Sequence, residues 1–351
     1  MCDAVGAGVT DVTADPATDL ERPPGRQDPL PEAPTATVLV PSYRRPDALA
    51  ACLDGLIAGS RLPEQIVVVL RDTDEQSHEA FDAWMDEHSA DHTRMIDLAE
   101  VDQPGQMAAT NAGLALATGE IICFIDDDCV VEERWLERLL AHYEDPDVVG
   151  VGGRDIVHLR GEVVGEPRPE VGALTFCGRK IGNHHQPDFD EPRRVAHLKG
   201  ANMSYRREVI PPFDVHLRSG VFNDTDVSLG AAADGGELVY DPLAAVHHYP
   251  KPRFDGHKRA SEDLEAVYDL AHDYAYVMFK HLSGGRRMAF WLFALLVGQH
   301  WRYGLLRMLV GLPREGGLAF RRWKAAMAGL LEARRTHRRV EADGAEARQP
   351  A

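Results

Sequence analysis

At 351 residues, 44% of them hydrophobic, the chain has room for one large α/β domain with appendages and enough apolar side chains for a sizeable core. Its formal net charge of -18 excludes nonspecific binding to nucleic acid, whose phosphates it repels. Five scattered cysteines (Cys2, Cys52, Cys123, Cys129 and Cys177) include no Cys-x-x-Cys pair, which argues against a disulfide framework or a cysteine zinc site and fits a reducing compartment.

Residues 1–34 are rich in Asp, Pro, Gly and Thr, without apolar periodicity, and read as a disordered acidic tail. They hold no apolar leader segment, so a cytoplasmic location is expected. Residues 37–40 (Thr-Val-Leu-Val) form the first buried strand, closed by Pro41-Ser42-Tyr43. Leu49, Cys52, Leu53, Leu56 and Ile57 then repeat at helical spacing behind Pro46. A second strand at 66–70 precedes a helix carrying Phe81 and Trp84, and a weaker strand lies near Met95-Ile96. An alanine-rich helix after Gly105 stops at Gly119, residues 121–125 (Ile-Ile-Cys-Phe-Ile) are a third strong strand, and Trp135, Leu136, Leu139, Leu140 and Tyr143 mark the next helix before a strand at 148–151. Strands alternating with helices predict βαβ units and a mostly parallel sheet, with ligands at the carboxyl ends of its strands. The boundaries that follow are a tail at 1–34, the main domain at 35–282, a basic and apolar helical extension at 283–339, and a disordered tail at 340–351.

Asp126, Asp127 and Asp128 directly follow the most apolar strand. Packed carboxylates repel one another, so the cluster makes sense around a hard divalent cation, Mg²⁺ or Mn²⁺, which takes oxygen ligands and shares them with phosphates. A solvated acidic turn capping the next helix is the alternative. Five further pieces accompany the aspartates: Pro41-Ser42-Tyr43-Arg44-Arg45 after the first strand; Gln103, Gly105, Ala109, Asn111 and Gly113; Gly200 to Arg207 (Gly-Ala-Asn-Met-Ser-Tyr-Arg-Arg); Asn223-Asp224-Thr225-Asp226-Val227; and Asp241-Pro242-Leu243-Ala244-Ala245-Val246-His247-His248. Each is weak alone. Together with the run from Ala117 to Asp128, and in this order between Thr37 and Tyr249, they resemble the family 2 glycosyltransferases.

The resemblance implies an α/β fold of the GT-A type, a Rossmann-like sheet flanked by helices. It implies transfer of a sugar, with inversion and without an enzyme nucleophile, from a UDP- or GDP-linked donor to a sugar, glycan or lipid-linked acceptor, assisted by Mg²⁺ or Mn²⁺. Asp128, Asp126 and His248 then hold the metal, and Asp224 is the general base. Pro41, Ser42, Tyr43, Arg45, Asp72, Gln103, Asn111, Asp126, Asp127 and Asn202 contact the nucleotide sugar, with Arg206 a lesser candidate. Two positions depart from the family pattern: Arg44 stands where Asn is usual, and Leu70 where an aspartate reads the base, which leaves Asp72 or Asp74 as its substitute. A sugar nucleotidyltransferase, the competing enzyme class, opens with a Gly-x-Gly-Thr-Arg-Leu loop, and nothing like it follows Val40. A nucleotide-sugar-binding protein without activity is the other alternative.

The segment 286–339 reverses the charge of the rest, with eleven Arg and Lys324 against Glu315 and Glu332, a net of +10 that leaves about -28 elsewhere. Its apolar runs at 288–297 and 303–312 are too short to cross a bilayer, which needs ~20 apolar residues. Short apolar stretches with Trp and flanking Arg predict helices lying on an anionic membrane, here its cytoplasmic face. Helices packing on the main domain are the alternative.

Overall fold

The computed structural model describes residues 33–252, 254, 263–299 and 302–346; residues 1–32 of the expected acidic tail lie outside them. The apolar runs of the first half become β1 (Ala36–Pro41), β2 (Gln65–Arg71), β3 (Ile96–Val101) and β4 (Ile121–Ile125), paired in parallel in the order β3-β2-β1-β4. Alternate residues of these strands feed two cores. Val38, Val40, Ile66 and Val68 pack on one face under α1 (Pro46–Ile57), α2 (Glu75–Glu87) and α4 (Trp135–Ala141), while Leu39, Val67, Val69 and Phe124 pack on the other under α3 (Gln106–Leu116). A central strand covered by helices on both sides must be apolar throughout, which is why 121–125 reads as an unbroken run. Gly113 lets α3 approach the sheet: a Cβ there meets Val69 Cγ2 at 2.7 Å and Leu39 Cδ1 at 2.8 Å.

The second half of the sheet contains β5 (Cys129–Val131), β6 (Val148–Leu159), β7 (Arg193–Val195), β8 (Asn202–Arg206) and β9 (Glu237–His248). β8 runs antiparallel between β4 and β6, β9 lies parallel to β6, and β7 and β5 pair antiparallel with β9. The expectation of a mostly parallel sheet therefore holds, with β8 as the reversed strand that joins its halves. Between β6 and β8 a two-residue hairpin pairs Ala173–Leu174 with Lys180–Ile181, and α5 (Asn223–Ala231) precedes β9.

The C-terminal region is helical: α6 (Leu264–His281), α7 (Gly284–Leu296), α8 (Leu305–Glu315) and α9 (Gly317–Glu346). Its core joins Tyr274, Tyr276 and Met278 of α6 to Phe290 of α7 and Ala326, Leu330 and Ala333 of α9, and it also takes in Leu217 and Phe222 from the segment leading to α5. The helices thus share a core with the sheet domain's own loops. α9 runs on to Glu346, past residue 340 where a disordered tail was expected, and its Ala326, Leu330 and Ala333 pack into the core with α6; residues 347–351 lie outside the described ones. Among the described residues no helix is long and apolar enough to cross a membrane.

Candidate active site

β1 and β4 are neighbours although β2 and β3 lie between them in sequence, so the strand order reverses there. In doubly wound sheets the ligand crevice lies at that point, beyond the carboxyl ends of the strands. Here it is a cleft of about 450 Å³. The loop after β1 contributes Pro41, Ser42, Tyr43 and Arg45, and the loop after β4 contributes Asp126, Asp127 and Asp128. Gln103 lines it ahead of α3, Asp224 from the first turn of α5, and His248 from the end of β9.

At the aspartate end, Ser42 Oγ donates to Asp127 Oδ2 at 2.7 Å and Arg45 Nη1 donates to Asp127 Oδ1 at 2.7 Å. Arg45 also lies 3.3 Å from Asp128 Oδ2 and donates to the Pro252 carbonyl at 3.0 Å, tying three segments together. Burial and the neighbouring Asp128 push the Asp127 carboxyl up to about 6 even though Arg45 opposes them. Asp128 Oδ2 accepts from the Lys251 amide at 2.9 Å. Its Oδ1 is buried without a hydrogen bond, 3.3 Å from His248 Nε2. On the far side of the ring, His248 Nδ1 lies 3.6 Å from Asp155 Oδ2, and Asp155 forms an ion pair with Lys199. Burial disfavours the imidazolium, but the carboxylates on either side raise His248 to about 9. Burial acts against the charge of Asp128 too, yet His248, the Lys251 amide and Arg45 hold it below the usual carboxylate range.

Donor atoms of Asp128, Cys129 and His248 lie within 4.8 Å of one another. A buried carboxylate oxygen lacking a hydrogen bond, facing an imidazole nitrogen, suits a divalent cation. Asp126, expected among the metal ligands, lines the cleft outside this group, and Cys129 stands inside it. Cys129 and Asp155 were missed by sequence reasoning. Asp155 carries a signal in retrospect, as an acidic residue on the inner stretch of a strand, only 1% exposed.

At the other end of the cleft, Asp224 is buried at the start of α5, where the amides and dipole of a helix N-terminus favour a carboxylate. Its Oδ1 accepts from Lys180 Nζ at 3.0 Å, from the Thr225 amide at 2.6 Å and from Thr225 Oγ1 at 3.0 Å. Burial, the largest single influence, raises this carboxyl, but Lys180, His197 and Thr225 together outweigh it and hold Asp224 down to about 2. Asp226, on the same helix, is taken up by Lys280 Nζ at 2.8 Å and His281 Nε2 at 2.7 Å.

Three expected donor contacts lie outside the cleft lining. Asn111 exchanges two 2.8 Å hydrogen bonds with the backbone of Phe213. Asn202 accepts from Trp135 Nε1 at 2.9 Å and donates to the Ala244 carbonyl at 2.8 Å, so both amides are consumed by the framework. Asp72 pairs with Arg71 at 3.2 Å, and it is Arg71 that lines the cleft. Asp74 caps α2 and accepts from the Arg44 amide at 2.5 Å. Arg206 likewise donates to the carbonyls of Val148 and Tyr143.

Residues 33–261 match the family described as glycosyltransferase-like family 2. A pre-mycofactocin glycosyltransferase of Mycobacterium tuberculosis is 31% identical over 147 residues, 41% of this chain and 30% of that protein. A glucosyl-dolichyl phosphate glucuronosyltransferase of Haloferax volcanii is 26% identical over 222 residues, 59% of this chain and 66% of that one. The chain thus spans less than two thirds of the length of these relatives. The crystal structure of GalNAc-T7 with UDP, GalNAc and Mn²⁺ shares the fold with a TM-score of 0.52 at 17% identity, covering 71% of this chain and 50% of that one.

Proposed function

The chain belongs to the glycosyltransferase-like family 2, and on that premise we propose that its cleft transfers a sugar from a UDP- or GDP-linked donor to an acceptor hydroxyl or lipid phosphate, with inversion. The observation that carries the reading is the meeting, in one cleft, of a carboxylate–histidine cluster at the carboxyl end of β4 with a single carboxylate on α5. Pro41, Tyr43, Gln103 and Asp126, which line the cleft, hold the nucleotide in this reading, and Ser42 and Arg45 act through Asp127. Asp128 and His248 would hold the divalent cation, Mg²⁺ or Mn²⁺, which would supply the positive charge a departing nucleoside diphosphate needs. His248 would bind such an ion as the neutral imidazole. Asp224 takes the acceptor proton as the acceptor oxygen bonds to the anomeric carbon and the bond to the diphosphate breaks. The lipid phosphate in the name of the Haloferax relative and the Mn²⁺ and UDP in the GalNAc-T7 structure support this substrate class.

The test is donor binding in Asp128→Ala, read as thermal stabilisation by UDP- and GDP-hexoses with and without Mn²⁺. The folded variant is expected to lose the metal-dependent part; unchanged stabilisation removes the metal assignment.

We further propose peripheral attachment to the cytoplasmic face of an anionic membrane. Met288, Leu292, Leu306, Leu309 and Val310 of α7 and α8 are exposed, Val310 by 68%, on a segment rich in arginine. Leu306, Leu309 and Val310 stand at i, i+3 and i+4 on one side of α8, a spacing that fits the headgroup boundary. The protein is expected to sediment with phosphatidylserine vesicles and to stay in the supernatant after Leu309→Glu with Val310→Glu. A wild-type protein that stays soluble with such vesicles overturns the attachment.

A further inference from the structure

We propose that Lys180 is a positioning residue for the transfer: it fixes Oδ1 of Asp224 and leaves Oδ2 as the oxygen that faces the acceptor. The inference rests on the reading of Asp224 as the base. Among the described residues, the three hydrogen bonds that Asp224 accepts all fall on Oδ1, from Lys180 Nζ and from the amide and hydroxyl of Thr225. Oδ2 receives none of them, and Asp224 lines the cleft. A carboxylate pinned through one oxygen cannot swing, so its second oxygen presents a fixed direction to an incoming hydroxyl.

Lys180 is itself held in place. It sits in the hairpin strand Lys180–Ile181, whose turn is closed by the Gly178 amide on the Thr175 carbonyl at 2.9 Å. The hairpin is tied to α6 by Tyr274, whose hydroxyl donates to the Gly178 carbonyl at 2.9 Å. Gly178 has a positive φ of 74°, and a Cβ there meets Met278 Sδ at 2.9 Å, so the turn seats directly on the helix. The ammonium also lies 5.4 Å from the ring centroid of Phe222, two residues before Asp224. Among the described residues Lys180 and the His197 imidazole act on Asp224, and the Tyr205 phenol is also near it. The His197 ring nitrogens face the carbonyls of Leu198 and Ile181, so Lys180 is the cation in direct hydrogen-bond contact with Asp224.

The experiment compares wild type with Lys180→Met, Lys180→Arg and Asp224→Asn. The probe is release of nucleoside diphosphate with water as acceptor, using Mn²⁺ and whichever UDP- or GDP-hexose most raises the melting temperature. For Lys180→Met, kcat is expected to fall about tenfold or more while KM and donor stabilisation stay unchanged. Its acid limb should move to higher pH, because the carboxylate loses its cation, and Lys180→Arg should restore most of both. A Lys180→Met enzyme with kcat within about twofold of wild type and an unmoved acid limb overturns the inference. If that variant does not fold, Lys180→Gln carries the same expectations, and an unmoved profile there overturns it equally. Asp224→Asn separates the two layers. If it remains active, the base assignment itself fails; if it is inactive while Lys180→Met is unimpaired, only the role of Lys180 falls.

Discussion

At one end of the cleft three consecutive aspartates crowd together and Asp127 is pushed up to about 6; at the other Asp224 sits alone against a lysine and is held down to about 2. Burial raises both carboxyls, so burial does not separate them. The difference lies in how cations are shared. Arg45 divides its charge between Asp127 and Asp128, which also repel each other, whereas Lys180 and Thr225 serve Asp224. The ends differ in construction as well. The aspartate end hangs on strand termini within the sheet, while the base end is assembled by the hairpin and by α6, through Lys180 on Asp224 and Lys280 and His281 on Asp226. The first leaves Oδ1 of Asp128 buried without a hydrogen bond; the second holds a lysine ammonium against its carboxylate.

The sharpest attack on this comparison is Asp224→Asn, which should lower turnover by about 10²–10⁴-fold while leaving donor binding intact. Steady-state rates beside donor thermal shifts measure both, and a variant that still turns over removes the functional meaning of the base end. Asp226→Asn should behave differently. It leaves Lys280 and His281 with a weaker partner and is expected to cost about 1–3 kcal/mol of stability in denaturant titration, with kcat reduced less than in Asp224→Asn. A stable but inactive Asp226→Asn beside an active Asp224→Asn swaps the two roles.

Acidification should weaken the base end through His184, which donates to the His197 carbonyl at 3.0 Å behind the hairpin. Burial lowers His184 from its ordinary value to about 4. A histidine depressed in the folded state binds its proton first in the unfolded chain, so stability is full above the unfolded value near 6.5 and falls as pH drops towards the folded one. The loss from this residue between pH 7 and pH 5 is on the order of 1–2 kcal/mol. It is measured as the change in denaturation midpoint for wild type against His184→Gln, in which that part of the pH dependence should vanish. The smallest expected effect is that of Leu309→Ser, which removes an exposed apolar side chain and should leave stability within about 0.5 kcal/mol while weakening sedimentation with anionic vesicles.

What could be read from the sequence follows the same division. The strands β1, β2 and β4 are unbroken apolar runs because both their faces are covered, and the aspartates are legible because they follow such a run without a gap. The hairpin that carries Lys180 has strands of two residues, too short for any periodicity, and its contact with Asp224 spans 44 positions. Asn111 and Asn202 matched their motifs, but a motif does not say whether an amide faces a ligand or its own framework; here Phe213, Trp135 and Ala244 claim them. In the C-terminal region the apolar stretches were visible, but not their partners. Phe290 is fully buried against α6 while Leu292, two residues on, is 54% exposed, a split that depends on where α6 lies.

The reversed strand β8 also governs when the sheet can close. Its pairing with β4 joins residues 121–125 to 202–206. During synthesis, at ~5–20 residues per second, β4 can be formed and flanked by β1 while its other edge waits roughly 4–16 s for β8 to emerge. That edge is Ile-Ile-Cys-Phe-Ile, without a charge to deter a wrong partner. Ribosome pausing within this interval prolongs the exposure of a strand that can add to another nascent chain. The yield of folded protein should therefore depend on how quickly residues 126–206 are made, more than on the speed of any stretch after them.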